Sequence, residues 1–211
     1  MAAASSRPRE TLRASLHQGS TSRRIVAAAR CHFLAHGFRA VTMDDLAVEL
    51  GMSKKTLYAS FTSKEKLLEA VLVSKFHDID ADLRKITSDC SDVPAALHRL
   101  VACVQRHTTE IQPSFVRDMR REPDLFEGVE RRRRAIIRRY FSRVFEAGRK
   151  AGIVRHDVPT RLIIEILLAA VQGILNPSKM AELDLTPKTG FTSVIRVVLQ
   201  GVLSERGKVK L

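Results

Sequence analysis

Residues 51–68, GMSKKTLYASFTSKEKLL, decide the fold of this chain. Ser53 is a residue type that favours the position before a helix, so a helix of about two turns is predicted to begin at Lys54. A helix of that length is not stable alone in water. Leu57 and Phe61 are spaced to anchor it against neighbouring helices. Its N-terminal face would then be left exposed.

Two helices are predicted before this segment. The first starts after Ser22 and ends near His36, where Gly37 supplies the left-handed stop. The second starts at Thr42, because TMDD fits a capping box with acid in the first turn, and it ends at Gly51. A turn of about three residues then leads into the short helix. This is the spacing of a helix-turn-helix.

The first turn of the short helix carries groups that suit DNA. Helix N-termini offer free N–H groups and positive dipole character, and the second helix of a helix-turn-helix reaches base edges in the major groove. Lysine can donate to guanine, and threonine can contact a thymine methyl group. Taken singly, each residue also fits a solvated polar face. Together they predict DNA contacts from Thr42, Ser53, Lys54, Lys55, Thr56, Tyr58 and Lys64, with Arg23 and Arg24.

Residues 23–69 resemble the DNA-binding domain of the TetR family of transcriptional repressors. The resemblance rests on RIVAAARCHFLAHGF, VTMDDLAVELGMSKKTLYASF and SKEKLLEAV. The family's glycine-aromatic pair, threonine cap, Gly-x-Ser-Lys-x-x-Leu-Tyr-x-x-Phe pattern and Ser-Lys-Glu-x-Leu-Leu pattern are all present. Position 55 is often glycine in the family and is lysine here, which adds a candidate contact to a phosphate or a base.

The resemblance implies an all-α fold, with an N-terminal three-helix helix-turn-helix DNA-binding domain and a C-terminal helical ligand-binding and dimerisation domain. Three parts are expected: a flexible basic N-terminal arm (1–21), the helix-turn-helix domain (22–68) and the effector-binding and dimerisation domain (69–211). The family binds double-stranded DNA as a homodimer, so a near-palindromic operator is expected.

The resemblance also implies that the last two helices form the dimer interface. The first of them, from about Thr160 to Leu175, is apolar on nearly all sides and must be buried on more than one face. An intrachain core could bury it, but dimerisation explains it better. The implied interface residues are Leu162, Ile163, Ile166, Ala170, Ile174, Val194, Val198 and Gly201.

The family's second half usually holds a small-molecule pocket whose occupancy releases DNA. The effector of this chain is unknown. Candidate lining residues are Phe76, Leu100, Val104, Phe115, Met119, Phe126, Tyr140 and Phe141, with His98, His107 and Arg117 as polar contacts. For each of them, a plain core position is at least as good an interpretation.

The chain has 211 residues and a net charge of +13, which favours a polyanionic partner. Residues 115–155 carry a net +7 and residues 1–60 a net +5. The run Arg131–Arg134 is interpreted as a solvated surface, with an acidic effector or second nucleic-acid contact as the minority alternative. A basic helical protein that binds nucleic acid or anionic surfaces without sequence specificity remains the alternative function.

Other classes of function find little support. No glycine-rich phosphate loop, nucleophile elbow or HExxH motif is present, so neither an enzyme nor a cofactor site is predicted. The three cysteines lack metal-binding spacing and are interpreted as small core residues, with redox sensing as the minor alternative. The N-terminal MAAASSRPRE lacks the apolar core of a signal peptide, and LIIEILLAAVQGIL is interrupted by polar residues. We therefore expect a cytoplasmic protein without a membrane partner.

Overall fold

The computed structural model describes the backbone of residues 7–203 and the side chains of residues 19–176 and 178–203. Every regular element in this range is an α-helix, which confirms the predicted all-α class. The helices are α1 (Arg7–His36), α2 (Met43–Glu49), α3 (Lys54–Ser60), α4 (Lys64–Ile86), α5 (Val93–Thr109), α6 (Pro113–Met119), α7 (Pro123–Lys150), α8 (Thr160–Ile174), α9 (Pro177–Glu182) and α10 (Pro187–Val202).

The described residues form two units. The first runs to Lys75 and also contains Ser114–Arg121, and the second consists of Phe76–Pro113 and the residues from Glu122 onward. Helix α4 therefore contributes residues to both units, while most of α6 belongs to the first. The sequence placed the domain boundary after residue 68 and assigned the α6 segment to the second half. The structure differs on both points.

The first unit is held together by apolar side chains from its first four helices. Ile25, Phe33, Leu46, Leu57 and Leu67 are all essentially inaccessible to solvent. Because α1 packs against both α2 and α3, burial of Leu57 compensates for the short length of α3. This is the anchoring predicted for Leu57, whereas Phe61, the second predicted anchor, is half-buried.

Helix α6 is fastened to the end of α1. Asp118 is buried, and its Oδ2 accepts a hydrogen bond from the Arg39 backbone N–H at 3.0 Å. The Ser114 hydroxyl donates to the Ala35 carbonyl at 3.3 Å. Gly37 has a φ of 89°, and a Cβ at this position would lie 2.5 Å from Asp118 Oδ2. Gly37 is therefore required both as the predicted helix stop and as the point of close approach to α6.

The second unit is built around α5, α7, α8 and α10, which pack against one another. Its core is aliphatic and aromatic, with Leu97 and Leu100 from α5 and Phe141 and Phe145 from α7. Tyr140 is also buried, and its hydroxyl donates to the Asp80 carboxylate of α4 at 2.8 Å. The burial of this tyrosine is possible because its polar end has a partner.

Three expectations about the helices and the cysteines are wrong. Helix α1 already includes residues 7–21, which were predicted as a flexible arm. Residues 9–18 contain no glycine or proline, and a single Gly19 does not stop the helix. Residues 1–6 of the predicted arm, and the side chains of Arg7, Arg9 and Arg13, lie outside the described residues. Helix α9 lies within the link predicted as irregular, and α10 starts early because Thr186 forms a capping box. Cys31 is exposed and Cys90 half-buried, so Cys103 alone is a buried core cysteine.

None of the helices in the described part of the chain is both long and apolar enough to cross a bilayer.

Candidate nucleic-acid interface

The start of α3 is fixed by the predicted cap. The Thr56 backbone N–H donates to Ser53 Oγ at 3.1 Å, and the two hydroxyl oxygens lie 2.9 Å apart. Ser53 therefore acts as the N-cap, and it orients the hydroxyl of Thr56 at the same time. The sequence had placed both residues among the DNA contacts, and the structure gives Ser53 this capping role within the protein.

Helix α3 has one buried side and one exposed side. Leu57 is 0% exposed, whereas its neighbour Tyr58 is 45% exposed. Lys54, Lys55 and Thr56 are exposed as well. The short helix therefore presents two lysines, a hydroxyl and a phenol to solvent, while one leucine holds it to the core. This arrangement suits contacts with base edges and phosphates.

An ion pair connects the starts of α2 and α3. Lys54 Nζ lies 2.6 Å from Asp44 Oδ2, and both side chains remain more than half exposed. The hydrogen bond from Lys54 to Asp44 raises the pKa of the lysine. Sequence reasoning did not include Asp44, although the acidic pair after Thr42 signals that a carboxylate lies at this helix start. In the free protein, Asp44 offsets the charge of Lys54.

Thr42 combines capping with exposure. Its hydroxyl accepts the Asp45 backbone N–H at 3.1 Å, and Asp45 Oδ2 accepts the Thr42 backbone N–H at 3.0 Å. The hydrogen bonds from Thr42 hold the pKa of the Asp45 carboxyl below its ordinary value. The predicted capping box is therefore present, and it fixes the first turn of α2 beside α3.

Lys64 has a structural task in this unit. Its Nζ donates to the Val41 carbonyl at 3.1 Å and to the Arg39 carbonyl at 3.3 Å, and it lies 5.8 Å from the centre of the Phe38 ring. Its amine therefore closes the loop after α1, a role different from the predicted phosphate clamp. The positive charge still lies at the edge of a shallow depression of about 370 Å³, lined by Thr42, Met43, Asp44, Tyr58, Thr62, Ser63 and Lys64.

Arg23 and Arg24 are exposed on α1. Arg23 Nε donates to the Gly19 carbonyl one turn earlier, at 3.1 Å. The structure thus places the nine predicted residues on α1 and on the starts of α2, α3 and α4. It brings Thr42, Tyr58 and Lys64 together around one depression.

The predicted effector-pocket residues are distributed over both units. Phe115 and Met119 are buried on α6 in the first unit. In the second unit, Phe76, Leu100, Tyr140 and Phe141 belong to the core cluster, Val104 packs against it, and Phe126 is half-buried. For Leu100, Tyr140 and Phe141 the structure favours the plain core interpretation that the sequence left open.

A cavity of about 880 Å³ lies elsewhere in the second unit, between α5 and α10. His98, one of the predicted polar contacts, lines it. Sequence reasoning missed the other lining residues, which are Leu97, Val101, Ala102, Gln105, Thr192, Ile195, Arg196, Leu199, Gln200 and Leu203. Both helices carry faces that mix polar and apolar side chains, which a binding site needs. That these two faces lie opposite each other is seen only in the tertiary structure.

The predicted dimer residues divide between core and surface. Ile163 and Val194 are buried within the second unit, and Ala170, Ile174 and Val198 are half-buried. Leu162 and Ile166 on α8 are 49% and 48% exposed, and Gly201 on α10 is exposed. Val197, also on α10, is 71% exposed. Helices α8 and α10 pack against each other and leave these apolar side chains facing solvent.

A capped short helix with an exposed basic face, following a second helix after a tight turn, defines a helix-turn-helix DNA-binding protein of the transcription-regulator class. The family model for bacterial regulatory proteins of the TetR family matches residues 25–71. Over these residues the chain is similar to the DNA-binding domain of TetR-family transcriptional regulators.

Comparisons over most of the chain find similar proteins of the same kind. The regulator UidR of Escherichia coli K12 is 24% identical over 188 residues, which cover 87% of this chain and 93% of UidR. A TetR transcription regulator from Haloarcula marismortui has a TM-score of 0.70 at 17% identity, covering 88% of this chain and 100% of that structure. SmeT, the repressor of a Stenotrophomonas maltophilia multidrug efflux pump, has a TM-score of 0.63 at 18% identity, covering 87% and 91%. SmeT has also been solved as a complex with triclosan.

Proposed function

We propose that this chain is a homodimeric transcriptional repressor that binds a near-palindromic operator in double-stranded DNA and is released from it by a small-molecule effector. The observation that carries the proposal is the exposed face of α3, where Lys54, Lys55, Thr56 and Tyr58 surround a helix start held by the buried Leu57. We also infer a cytoplasmic, non-enzymatic protein, because the relatives are named as transcriptional regulators.

The residues of this face take different parts in the proposed complex. Lys55 and Thr56 contact base edges, because they lie in the first turn of the recognition helix. Tyr58 and Thr42 contact phosphates beside the depression that they share with Lys64. Lys54 reaches the DNA face while still paired with Asp44, so most of its charge is offset there. Arg23 and Arg24 contact the DNA backbone from α1.

The exposed apolar residues of α8 and α10 support the homodimer. Leu162, Ile166 and Val197 are large apolar side chains, and each exposes about half or more of its surface to solvent. Association of two copies through this face would remove that surface from water, which is favourable. Gly201 would let the two backbones approach closely. A twofold dimer presents two copies of α3 and therefore requires a near-palindromic site.

The cavity between α5 and α10 is the proposed effector site. Its volume of about 880 Å³ falls within the range of small-molecule sites. Leu97, Ile195 and Leu199 supply an apolar lining, while His98 and Arg196 supply polar and charged groups. This mixture suits an amphipathic organic molecule with an anionic or hydrogen-bonding end.

The proposal is tested by a gel shift on DNA from around the protein's own gene, in excess random competitor at near-physiological salt. A discrete band that survives competitor supports specific binding, and its loss on adding a compound identifies an effector. A smear that competitor removes supports the alternative, a basic protein without sequence specificity. Selection from a random duplex pool would then recover either a near-palindromic consensus or none.

Variants assign the contacts within this assay. Lys55→Ala and Thr56→Ala are expected to change which sites are selected, with losses of about 1–3 kcal/mol on the preferred site. Tyr58→Phe is expected to weaken all sites about equally. Normal selection by both alanine variants would refute the assignment of α3 as the recognition helix.

A further inference from the structure

Three side chains that commonly bind metals converge in the second unit. Asp82 lies on α4, and Cys103 and His107 lie one turn apart on α5. Their ligand atoms, one from each residue, all lie within 4.8 Å of one another. His107 Nε2 is 3.0 Å from Asp82 Oδ2. The spacing of four residues places the cysteine and histidine on the same face of α5.

We propose that Asp82, Cys103 and His107 form a binding site for a divalent transition metal, with Zn²⁺ as the ion that the ligand set favours. Thiolate, imidazole and carboxylate are all zinc ligands. In tetrahedral coordination, metal–ligand distances of about 2.0–2.3 Å put ligand atoms roughly 3.3–3.8 Å apart. The observed separations are close enough for side-chain rotations to reach that geometry.

The surroundings fit a site with one open position. Cys103 and His107 are 5% and 7% exposed, whereas the Asp82 side chain is 42% exposed. The protein therefore supplies two buried ligands and one at the surface. A fourth ligand, such as water or a group from a bound molecule, would enter from the solvent side, as in zinc sites with three protein ligands.

A carboxylate lies on the far side of the histidine. Glu110 Oε1 is 3.9 Å from His107 Nδ1, while Nε2 of the same ring faces Asp82. A small movement would let Nδ1–H donate to Glu110, so that Nε2 could bind a metal. Carboxylates in this position orient metal-binding histidines and raise their basicity. Glu110 is thus the positioning residue of the proposed site.

Arg106 occupies the side of the cluster from which a metal cation would approach. Its Nη2 is 2.6 Å from Asp82 Oδ2 and 3.9 Å from Cys103 Sγ. In the metal-free protein, the guanidinium provides the positive charge beside these acidic groups. The Arg106 side chain is 62% exposed, so it can withdraw from Oδ2 at little cost and pair with the other carboxylate oxygen. Arg106→Gln is therefore expected to tighten metal binding.

This proposal concerns metal binding alone and does not rest on the proposed repressor function. The first experiment is a titration of the full, chelator-treated chain with Co²⁺, followed by absorption spectroscopy. We expect a thiolate-to-cobalt charge-transfer band that saturates at one ion per chain and disappears when Zn²⁺ is added. Competition with a chromophoric chelator then gives the Zn²⁺ affinity. Absence of the band at excess Co²⁺ would overturn the proposal.

Variants test each ligand. Cys103→Ser is expected to abolish the band, and His107→Gln to lower Zn²⁺ affinity by at least about 100-fold. Cys90→Ser, which removes a half-buried cysteine outside the cluster, is the matched control and should leave both unchanged. Glu110→Gln is expected to weaken binding about 10-fold while keeping the charge-transfer band, because the ligands themselves remain.

A charge-transfer band retained in a folded Cys103→Ser variant would refute the site, and the wild-type titration requires no variant to fold.

Discussion

Replacing Asp44 with asparagine is expected to strengthen DNA binding, although it removes an ion pair from the protein. Asp44 Oδ2 accepts a hydrogen bond from Lys54 Nζ at 2.6 Å, at the start of the proposed recognition helix. The carboxylate therefore offsets the charge of one lysine on this face and repels phosphates. Asparagine keeps the size of the side chain and removes the negative charge.

The size of the effect follows from counterion release. Each lysine that neutralises a phosphate makes the plot of log K against log salt steeper by about 0.9 for duplex DNA. Asp44→Asn makes Lys54 fully available and so adds about one such contact. If wild type and variant bind equally at about 1 M salt, one added contact makes the variant bind roughly five-fold more tightly at about 0.15 M salt. Because both side chains of the pair are more than half exposed, losing it costs the folded state little.

The assay is fluorescence anisotropy with a random-sequence duplex over a series of salt concentrations, since this effect does not require the operator. Glu127→Gln is the matched control. It changes the net charge equally at an exposed residue of the second unit, where the side chain is 78% exposed. Wild type and control should share one slope, and Asp44→Asn should be steeper.

An unchanged slope for Asp44→Asn would refute the reasoning, because Lys54 would then lie away from the DNA. Equal gains in Asp44→Asn and Glu127→Gln would refute it differently, by showing that overall charge controls affinity. A weaker complex would mean that Asp44 positions Lys54, so that the ion pair itself is part of the binding surface.

Three further predictions concern other parts of the chain. Asp118→Ala removes the acceptor of the Arg39 N–H and is expected to cost about 2 kcal/mol locally, so that hydrogen exchange of that amide rises roughly 30-fold; exchange within three-fold of wild type would contradict it. The hydrogen bond from Arg155 lowers the pKa of Asp157 to about 2. The stabilisation from this pair is therefore complete above pH 3.8, the ordinary pKa, and is lost as pH falls towards 2. An NMR titration midpoint near 3.8 for Asp157 in the folded protein would contradict this. Leu162→Glu is expected to produce monomers in light-scattering chromatography, and an unchanged dimer would exclude this face as the interface.

The helix-turn-helix was predictable because its signals are local. Ser53 and Thr42 accept hydrogen bonds from amides only three residues away, and Gly37 and Gly51 adopt the positive φ that their positions predict. Each of these features depends on a few neighbouring residues. The start and end of α2 and α3 could therefore be read from the sequence almost without tertiary information.

The candidate sites of the second unit were not predictable in the same way. The cavity is lined by α5 and α10, which are far apart in the sequence, and no local pattern states which faces of two helices meet. The same limit applies to Asp82, which reaches Cys103 and His107 from another helix. The four-residue spacing of the last two lies in the sequence, but it was interpreted as lacking a metal-binding pattern. Similarly, no local signal places Asp118 beneath the loop at Arg39.

Some predicted DNA-contact residues also hold the fold together, and this affects how mutations at them should be interpreted. Ser53 caps α3, and Lys64 holds two loop carbonyls, so substituting either changes stability together with any DNA contact. Lys55, by contrast, is exposed and forms no hydrogen bond or ion pair among the described residues. The fold gives no reason for a lysine at this position. The proposed role in DNA recognition supplies one, and under that proposal Lys55 is the residue at which DNA specificity can be measured separately from folding.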